Sequence, residues 1–124
     1  DKGVRNLYHL LVEEEFIVKD TPYSVFHFRL LGRDKPDNLT EIVWLKDKKE
    51  LCYFIYRLTR TNILDERCSN FNTTRDFNKK TMAFFIVKGS SWDQKDNLSD
   101  MANKLSYPKK QEILELFKKS LEQP

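Results

Sequence analysis

The segment that begins at Asp47 places the tightest constraint on the fold. Large apolar side chains recur there at the i, i+3, i+4, i+7 spacing of one helix face, namely Leu51, Phe54, Ile55 and Leu58. Asp47 can cap the first turn, and Glu50 follows three residues later in a variant of the capping box. The pattern predicts an amphipathic helix that ends near residues 61–62, and a fold with a core to receive its apolar face.

The rest of the chain can supply that core within one domain. Of the 124 residues, 40% are hydrophobic and 33% are charged, which is typical of globular proteins with a high charge content. Domains usually have roughly 100–200 residues, and no linker or internal repeat interrupts the sequence. We therefore predict a single domain over residues 1–124. No apolar run reaches the roughly 18 residues that cross a bilayer, and no signal-peptide pattern is present, so we expect a cytoplasmic protein with no membrane partner.

Three elements are predicted before the Asp47 helix. Residues 4–16 have helical spacing of apolar side chains. Residues 24–31 alternate polar and apolar positions, which is typical of a strand with one apolar face, and residues 41–45 are rich in β-forming residues. Turn-forming residues fill 32–38. We predict an N-terminal helix followed by a β-hairpin.

The second half of the chain reads as mainly helical. Residues 77–87 fit either a helix or a buried strand, and we favour a helix because Asp76 or Asn78 can start it and Gly89 can close it. A short helix is expected from Leu98, and a last helix with Pro108 in its first turn. The predicted class is α+β, mainly helical, with an N-terminal helix, a β-hairpin and three to four helices.

The sequence offers little for catalysis or cofactor binding. Its three glycines form no phosphate-binding loop. Its two cysteines and two histidines lack the paired spacing of zinc ligands, and Cys52 and Cys68 are expected to be reduced thiols, the former buried. No nucleophile motif is present, so His9 and His27 are interpreted as ordinary side chains. We expect no enzyme activity, no metal, no cofactor and no small-molecule substrate.

The positive charge of the chain is concentrated in its middle. Residues 47–80 carry a net charge of +3, whereas residues 1–46 carry −1 and residues 81–124 carry +1. A basic helix surface of this kind can contact a phosphate backbone. The candidate DNA-contacting residues are Lys48, Lys49, Arg57, Arg60, Arg75, Lys79 and Lys80.

Two tyrosines offer an alternative use of the same helix. Tyr53 and Tyr56 share the side of Lys49 and Arg60, away from the apolar stripe. Exposed tyrosines favour protein interfaces and can also stack on unpaired bases. The alternative prediction is a protein–protein interaction module, either a homodimer or an adaptor, that uses Tyr53, Tyr56 and a helix face.

A short stretch resembles a known family. Residues 40–51, TEIVWLKDKKEL, and residues 54–58, FIYRL, are similar to a segment in the C-terminal part of RteC-type regulatory proteins of Bacteroides conjugative elements, and in small uncharacterised proteins of the same bacteria. The resemblance implies a helical domain with a winged-helix-like DNA-binding part that acts in transcription regulation of a mobile element. For residues 44–58 it implies a structural role. We therefore expect a non-enzymatic cytoplasmic regulatory or accessory domain that binds duplex DNA.

Overall fold

The computed structural model describes residues 2–31, 34–58, 82, 84–87 and 97–122. Within these ranges the chain is mainly helical, with one small sheet. The elements in chain order are α1 (Lys2–Glu13), α2 (Tyr23–Leu31), β1 (Ile42–Trp44), α3 (Lys48–Leu58), β2 (Phe85–Val87), α4 (Leu98–Asn103) and α5 (Tyr107–Glu122).

Helix α3 lies at the centre of these elements. It packs against α4 and α5, while α1 packs against α5 and α2. The apolar stripe predicted for α3 is buried, and so are Cys52 and Tyr53 between its members. Burial on several sides explains why α3 needs apolar residues beyond a single stripe.

Strand β1 has backbone partners on both of its edges. It pairs in parallel with β2, with Ile42 opposite Phe85 and Trp44 opposite Val87. On its other edge, Leu45 N–H donates to Phe16 O over 2.7 Å, and Ile17 forms an antiparallel bridge to Trp44. The segment after α1 and the distant strand β2 therefore satisfy the two edges of β1.

Trp44 is the centre of the aromatic core. Its side chain is fully buried, and its ring centroid lies 5.3 Å from Phe54, 5.5 Å from Phe16 and 5.9 Å from Phe85. The Phe54 ring also stacks on Phe117 of α5, at 5.4 Å. One continuous aromatic cluster thus joins α3, both strands and the last helix.

Helix α1 ends in a turn that normally requires glycine. Phe16 N–H donates to Leu11 O over 2.8 Å, and Glu15 N–H donates to Val12 O over 3.2 Å, which is the Schellman pattern of hydrogen bonds. The left-handed position of that turn is occupied by Glu15, with φ of 62°. A side chain with a Cβ costs free energy in this conformation.

Several helix predictions are confirmed. Asp47 Oδ1 accepts a hydrogen bond from Glu50 N–H at 2.8 Å, as expected for the cap of α3. Helix α4 starts behind Asn97, whose Oδ1 accepts from Asp100 N–H at 3.0 Å. Pro108 lies in the first turn of α5, and α1 and β1 fall within or close to the segments predicted for them. These signals are local, so neighbouring residues suffice to predict them.

The prediction of a β-hairpin is wrong. Residues 24–31 belong to α2, and β1 pairs with β2 in parallel. The buried side chains of α2 are Val25, Phe26, Leu30 and Leu31. Over only nine residues, the alternating pattern of a strand and the periodic pattern of a helix are hard to tell apart. The helix is the observed structure, and Pro22 O accepts hydrogen bonds from the N–H groups of Val25 and Phe26 in its first turn. A winged-helix arrangement is not confirmed.

The helix favoured for residues 77–87 is wrong at its end. Residues 85–87 form β2, although Met82 has helical conformation. Phe85 and Val87 are buried, and Ile86 between them is exposed, which is the alternation of a strand with one face on the core. The other residues of 77–87, apart from Phe84, lie outside the described part of the chain.

Replacing Phe85 tests the strand assignment. Phe85→Ala should lower the free energy of unfolding by about 3–5 kcal/mol, because it removes a buried ring that contacts Trp44 and Phe54. Ile86→Ala, one residue away on the exposed face, should change it by no more than about 0.5 kcal/mol. Urea unfolding measures both. Similar losses in the two variants would contradict the alternation described above.

Replacing Glu15 tests the turn after α1. Glu15→Gly should raise the free energy of unfolding by about 0.5–1 kcal/mol and the melting temperature by roughly 2–4 °C, since glycine adopts positive φ without a steric penalty. Glu14→Gly is the matched control, because Glu14 precedes the left-handed position. Glycine there should not stabilise the protein. Thermal unfolding measured by circular dichroism would reject the assignment if both glycine variants were destabilised equally.

Candidate functional site

The predicted DNA-contacting residues are divided among exposed, half-buried and undescribed positions. Lys49 is exposed in the first turn of α3, and Lys48 beside it is half-buried. Arg57 is half-buried near the end of α3, and its Nε is buried with no hydrogen-bond partner among the described residues. The others lie outside the described residues, namely Arg60, Arg75, Lys79 and Lys80. Of the three candidates in the described part of the chain, Lys49 is therefore the one that is exposed.

The expectation of two exposed tyrosines on α3 is wrong for Tyr53. Tyr53 is 8% exposed, and Tyr56 is half-buried. Their rings stack with centroids 6.2 Å apart, and the Lys110 ammonium of α5 lies 5.8 Å from the centre of the Tyr53 ring. The start of α5 covers this side of α3, and a sequence pattern within α3 alone cannot reveal a neighbour that arrives from a distant part of the chain.

The first turns of α3 and α5 lie beside each other. Lys109 Nζ lies 3.1 Å from Asp47 Oδ2 and 3.6 Å from Glu50 Oε1. Lys110 Nζ donates to Asn103 O at 3.3 Å. We call this region the lysine end and define it by Lys48, Lys49, Lys109 and Lys110. The two lysines of α5 are an addition that sequence reasoning missed, because only tertiary structure brings them beside α3.

The two carboxylates at the lysine end have opposite pKa shifts. Burial raises the pKa of Glu50, and the negative charge of Asp47 raises it further. The positive charge of Lys109 and a hydrogen bond with the Asp47 backbone lower the pKa, but by a smaller amount. Burial alone would also raise the pKa of Asp47, but the bond from Glu50 N–H and the contact with Lys109 hold it below its usual value. Asp47 is therefore a firmly ionised cap, whereas Glu50 resists ionisation.

A second region of interest is an open cleft between α1 and α2. Its volume is about 470 Å³, within the range of small-molecule sites. It is lined by Lys2, Arg5, Tyr23, Ser24, His27 and Asp34. Sequence reasoning missed this cleft because residues 24–31 were expected to be a strand, which would have placed Ser24 and His27 in a hairpin instead of beside α1.

The remaining sulfur and imidazole groups are dispersed. Cys52 is buried, as predicted, and its Sγ lies 3.9 Å from Met101 Sδ. His9 lies on α1, next to Tyr8, and His27 lies on α2. Among the described residues no three His, Cys, Asp or Glu side chains are grouped to hold a metal ion. Cys68 lies outside these residues.

None of the described helices is long and apolar enough to span a membrane. Comparison of the sequence with protein-family models finds no match, and comparisons with curated proteins and with solved structures also find none. The resemblance to RteC-type proteins stays a prediction.

The opposite shifts of Asp47 and Glu50 predict opposite pH effects on stability. The lowered pKa of Asp47 stabilises the fold above its unfolded pKa of about 4, and this contribution disappears as the pH falls through the lower folded value. Asp47→Asn keeps a capping side chain but should be less stable than the wild type only at the higher pH.

The raised pKa of Glu50 acts in the other direction. The folded state gains stability as the pH falls through the raised value toward the unfolded pKa of about 4.3. Glu50→Gln mimics the protonated acid, so it should be more stable than the wild type at neutral pH and equal to it in acid. Urea unfolding from about pH 3 to pH 7 measures both differences. The exposed Glu122→Gln on α5 is the control, and pH trends of the same sign in the Asp47 and Glu50 variants would contradict the assignment.

Proposed function

We propose that this chain is a non-enzymatic cytoplasmic regulatory or accessory domain that binds the phosphate backbone of duplex DNA with its lysine end. The observation that carries the proposal is the convergence of two helix starts that both bear lysines, joined by the contact between Lys109 and Asp47. The resemblance of residues 40–58 to RteC-type proteins, and the +3 charge of residues 47–80, agree with the same class of partner.

The lysine end suits a phosphate backbone for two physical reasons. The first turn of a helix carries a partial positive charge that attracts phosphate oxygens, although in α3 the Asp47 cap already accepts the Glu50 N–H. Lysine ammonium groups beside these turns add positive charges that can replace the counterions of DNA. Asp47 and Glu50 offset part of this charge, so we expect the contact to be of modest affinity and sensitive to salt.

The burial of α3 determines how the protein would approach DNA. The residues from Glu50 to Ile55 are all buried, so this part of α3 offers no side chain to a groove. The exposed Lys49 and the α5 lysines can reach phosphates when the end of the helix pair faces the duplex. Such contacts position a protein on DNA without reading its sequence, so any sequence-specific contacts belong to other residues.

Charge removal at the lysine end tests the proposal. Lys49→Gln combined with Lys110→Gln removes two positive charges that we place at the DNA backbone. The affinity for a labelled duplex of about 30 base pairs should fall, and the slope of log K against log salt should become shallower by about 0.9 for each phosphate that the protein no longer neutralises. Fluorescence anisotropy at salt concentrations between about 50 and 200 mM measures both quantities.

A matched variant separates this surface from the effect of net charge. Lys118→Gln combined with Lys119→Gln removes the same charge from the exposed far end of α5, and it should leave the slope unchanged. Equal effects of the two double variants would show that total charge alone governs binding. Absence of binding by the wild type at the lowest salt would contradict the DNA proposal and favour the protein-interaction alternative.

A further inference from the structure

The cleft between α1 and α2 carries positive charge that is not neutralised locally. Lys2 and Arg5 lie one turn apart on α1 and are both exposed. Neither forms an ion pair with a carboxylate in the described part of the chain. Asp34 is the one acidic residue among the described residues that line the cleft. The described residues that line the cleft therefore carry a net positive charge, which suits an anion.

Arg5 is held in an orientation that favours anion binding. Its guanidinium carbon lies 4.4 Å from the centroid of the Tyr23 ring, which is a close cation–π contact. In the described part of the chain the Arg5 N–H groups form no hydrogen bond, so they can donate to a ligand. Because the ring contact already restricts the side chain, binding an anion costs less conformational entropy than it would for a mobile arginine.

The Tyr23 ring, which contacts Arg5, is held in place by neighbouring rings. The Tyr23 ring lies 5.2 Å from Tyr8 and 5.6 Å from His27. The Tyr8 hydroxyl in turn donates to Thr21 O just before α2, which ties the two sides of the cleft together. Burial raises the pKa of Tyr23, although Arg5 opposes this shift, so its hydroxyl stays protonated and can donate a hydrogen bond.

We propose that the cleft between α1 and α2 binds a phosphate monoester, with Arg5 and Lys2 pairing with the phosphate dianion and the Ser24 hydroxyl donating to it. A phosphate monoester carries about −1.5 to −2 charges at neutral pH and three acceptor oxygens, which matches two cations and donors that approach from both helices. A carboxylate has one charge and two oxygens in a plane, so it would satisfy only part of this set. The volume of about 470 Å³ leaves room for a small organic group on the phosphate.

This site is separate from the lysine end. The cleft is built from α1, α2 and Asp34, which follows α2, whereas the lysine end is built from α3 and α5, and they share no residue. The two proposals can therefore fail independently. An Arg5 variant should keep the DNA affinity of the wild type, and the double variant of Lys49 and Lys110 should keep its affinity for the phosphate monoester.

Titration with ribose 5-phosphate tests the proposal directly. Nuclear magnetic resonance of the ¹⁵N-labelled chain should show saturable shifts of the amide signals of Tyr23, Ser24 and His27 at constant ionic strength. Ribose should cause none, and acetate should bind at least about tenfold more weakly. Inorganic phosphate should compete with ribose 5-phosphate, since both present the same dianion. The titration extends to about 10 mM ligand, and binding too weak to saturate by that concentration is not counted as specific.

Two substitutions of arginine make the matched comparison. Arg5→Gln should weaken ribose 5-phosphate binding at least about tenfold. Arg29→Gln, which removes another arginine stacked on an aromatic ring (Phe84, at 4.8 Å), should leave it within about twofold. Lys2→Gln, at an exposed position, gives a second test that does not disturb the Tyr23 stack, and we expect affinity to fall about threefold. Thermal unfolding confirms that each variant is folded.

Three results would overturn the proposal. The first is no saturation by ribose 5-phosphate at the highest concentration of the titration. The second is equal affinity of the wild type and both the Arg5 and Lys2 variants. The third is a loss of DNA affinity in Arg5→Gln that matches its loss of ribose 5-phosphate affinity, because the cleft would then be part of the DNA surface and not a site for a small ligand.

Discussion

The structure depends on the burial of the Trp44 side chain at the junction of β1 and α3. The indole is surrounded by aromatic rings from three other segments, and burying a ring of this size contributes several kcal/mol of stability. Its one polar atom is satisfied, because Nε1–H donates to Asp47 O at 3.0 Å. A buried tryptophan N–H usually has a hydrogen-bond acceptor, and here the acceptor is the residue that caps the next helix. The core and the start of α3 are therefore held in place by the same contact.

Asp47 connects the buried Trp44 side chain to the helix starts at the surface. Its carbonyl oxygen accepts from Trp44, one carboxylate oxygen caps α3, and the other contacts Lys109 of α5. The first turn of α5 is thus positioned relative to the first turn of α3 by a residue that is also attached to the core. The lysine end exists because of this linkage, and its geometry should persist as long as the Trp44 environment does. The cleft between α1 and α2 has a different support, the ring contacts of Tyr8 and Tyr23.

Sequence reasoning succeeded where the signal was local and failed where a distant partner decided the outcome. The cap at Asp47 and the cap at Asn97 involve residues within one helical turn, so their patterns are diagnostic by themselves. Residues 24–31 and 85–87 are short apolar segments whose patterns fit both a helix and a strand. Parallel pairing of β1 with β2 joins residues that are far apart in the chain, and nothing in either segment identifies the other. The exposure of Tyr53 was misjudged for a similar reason, since α5 covers it.

The sequence by itself determined the helical character of the chain, the position and cap of α3, and many of the residues that form the core, because these follow from periodicity and from contacts between near neighbours. Only the tertiary structure decided which helix starts meet, which lysines share a surface and which residues of α1 and α2 form a cleft. These are juxtapositions of residues far apart in the chain, and they arise from the packing of apolar faces that can dock in more than one way. Both candidate binding surfaces belong to this second group, so the function proposed for the chain rests on how its helices pack.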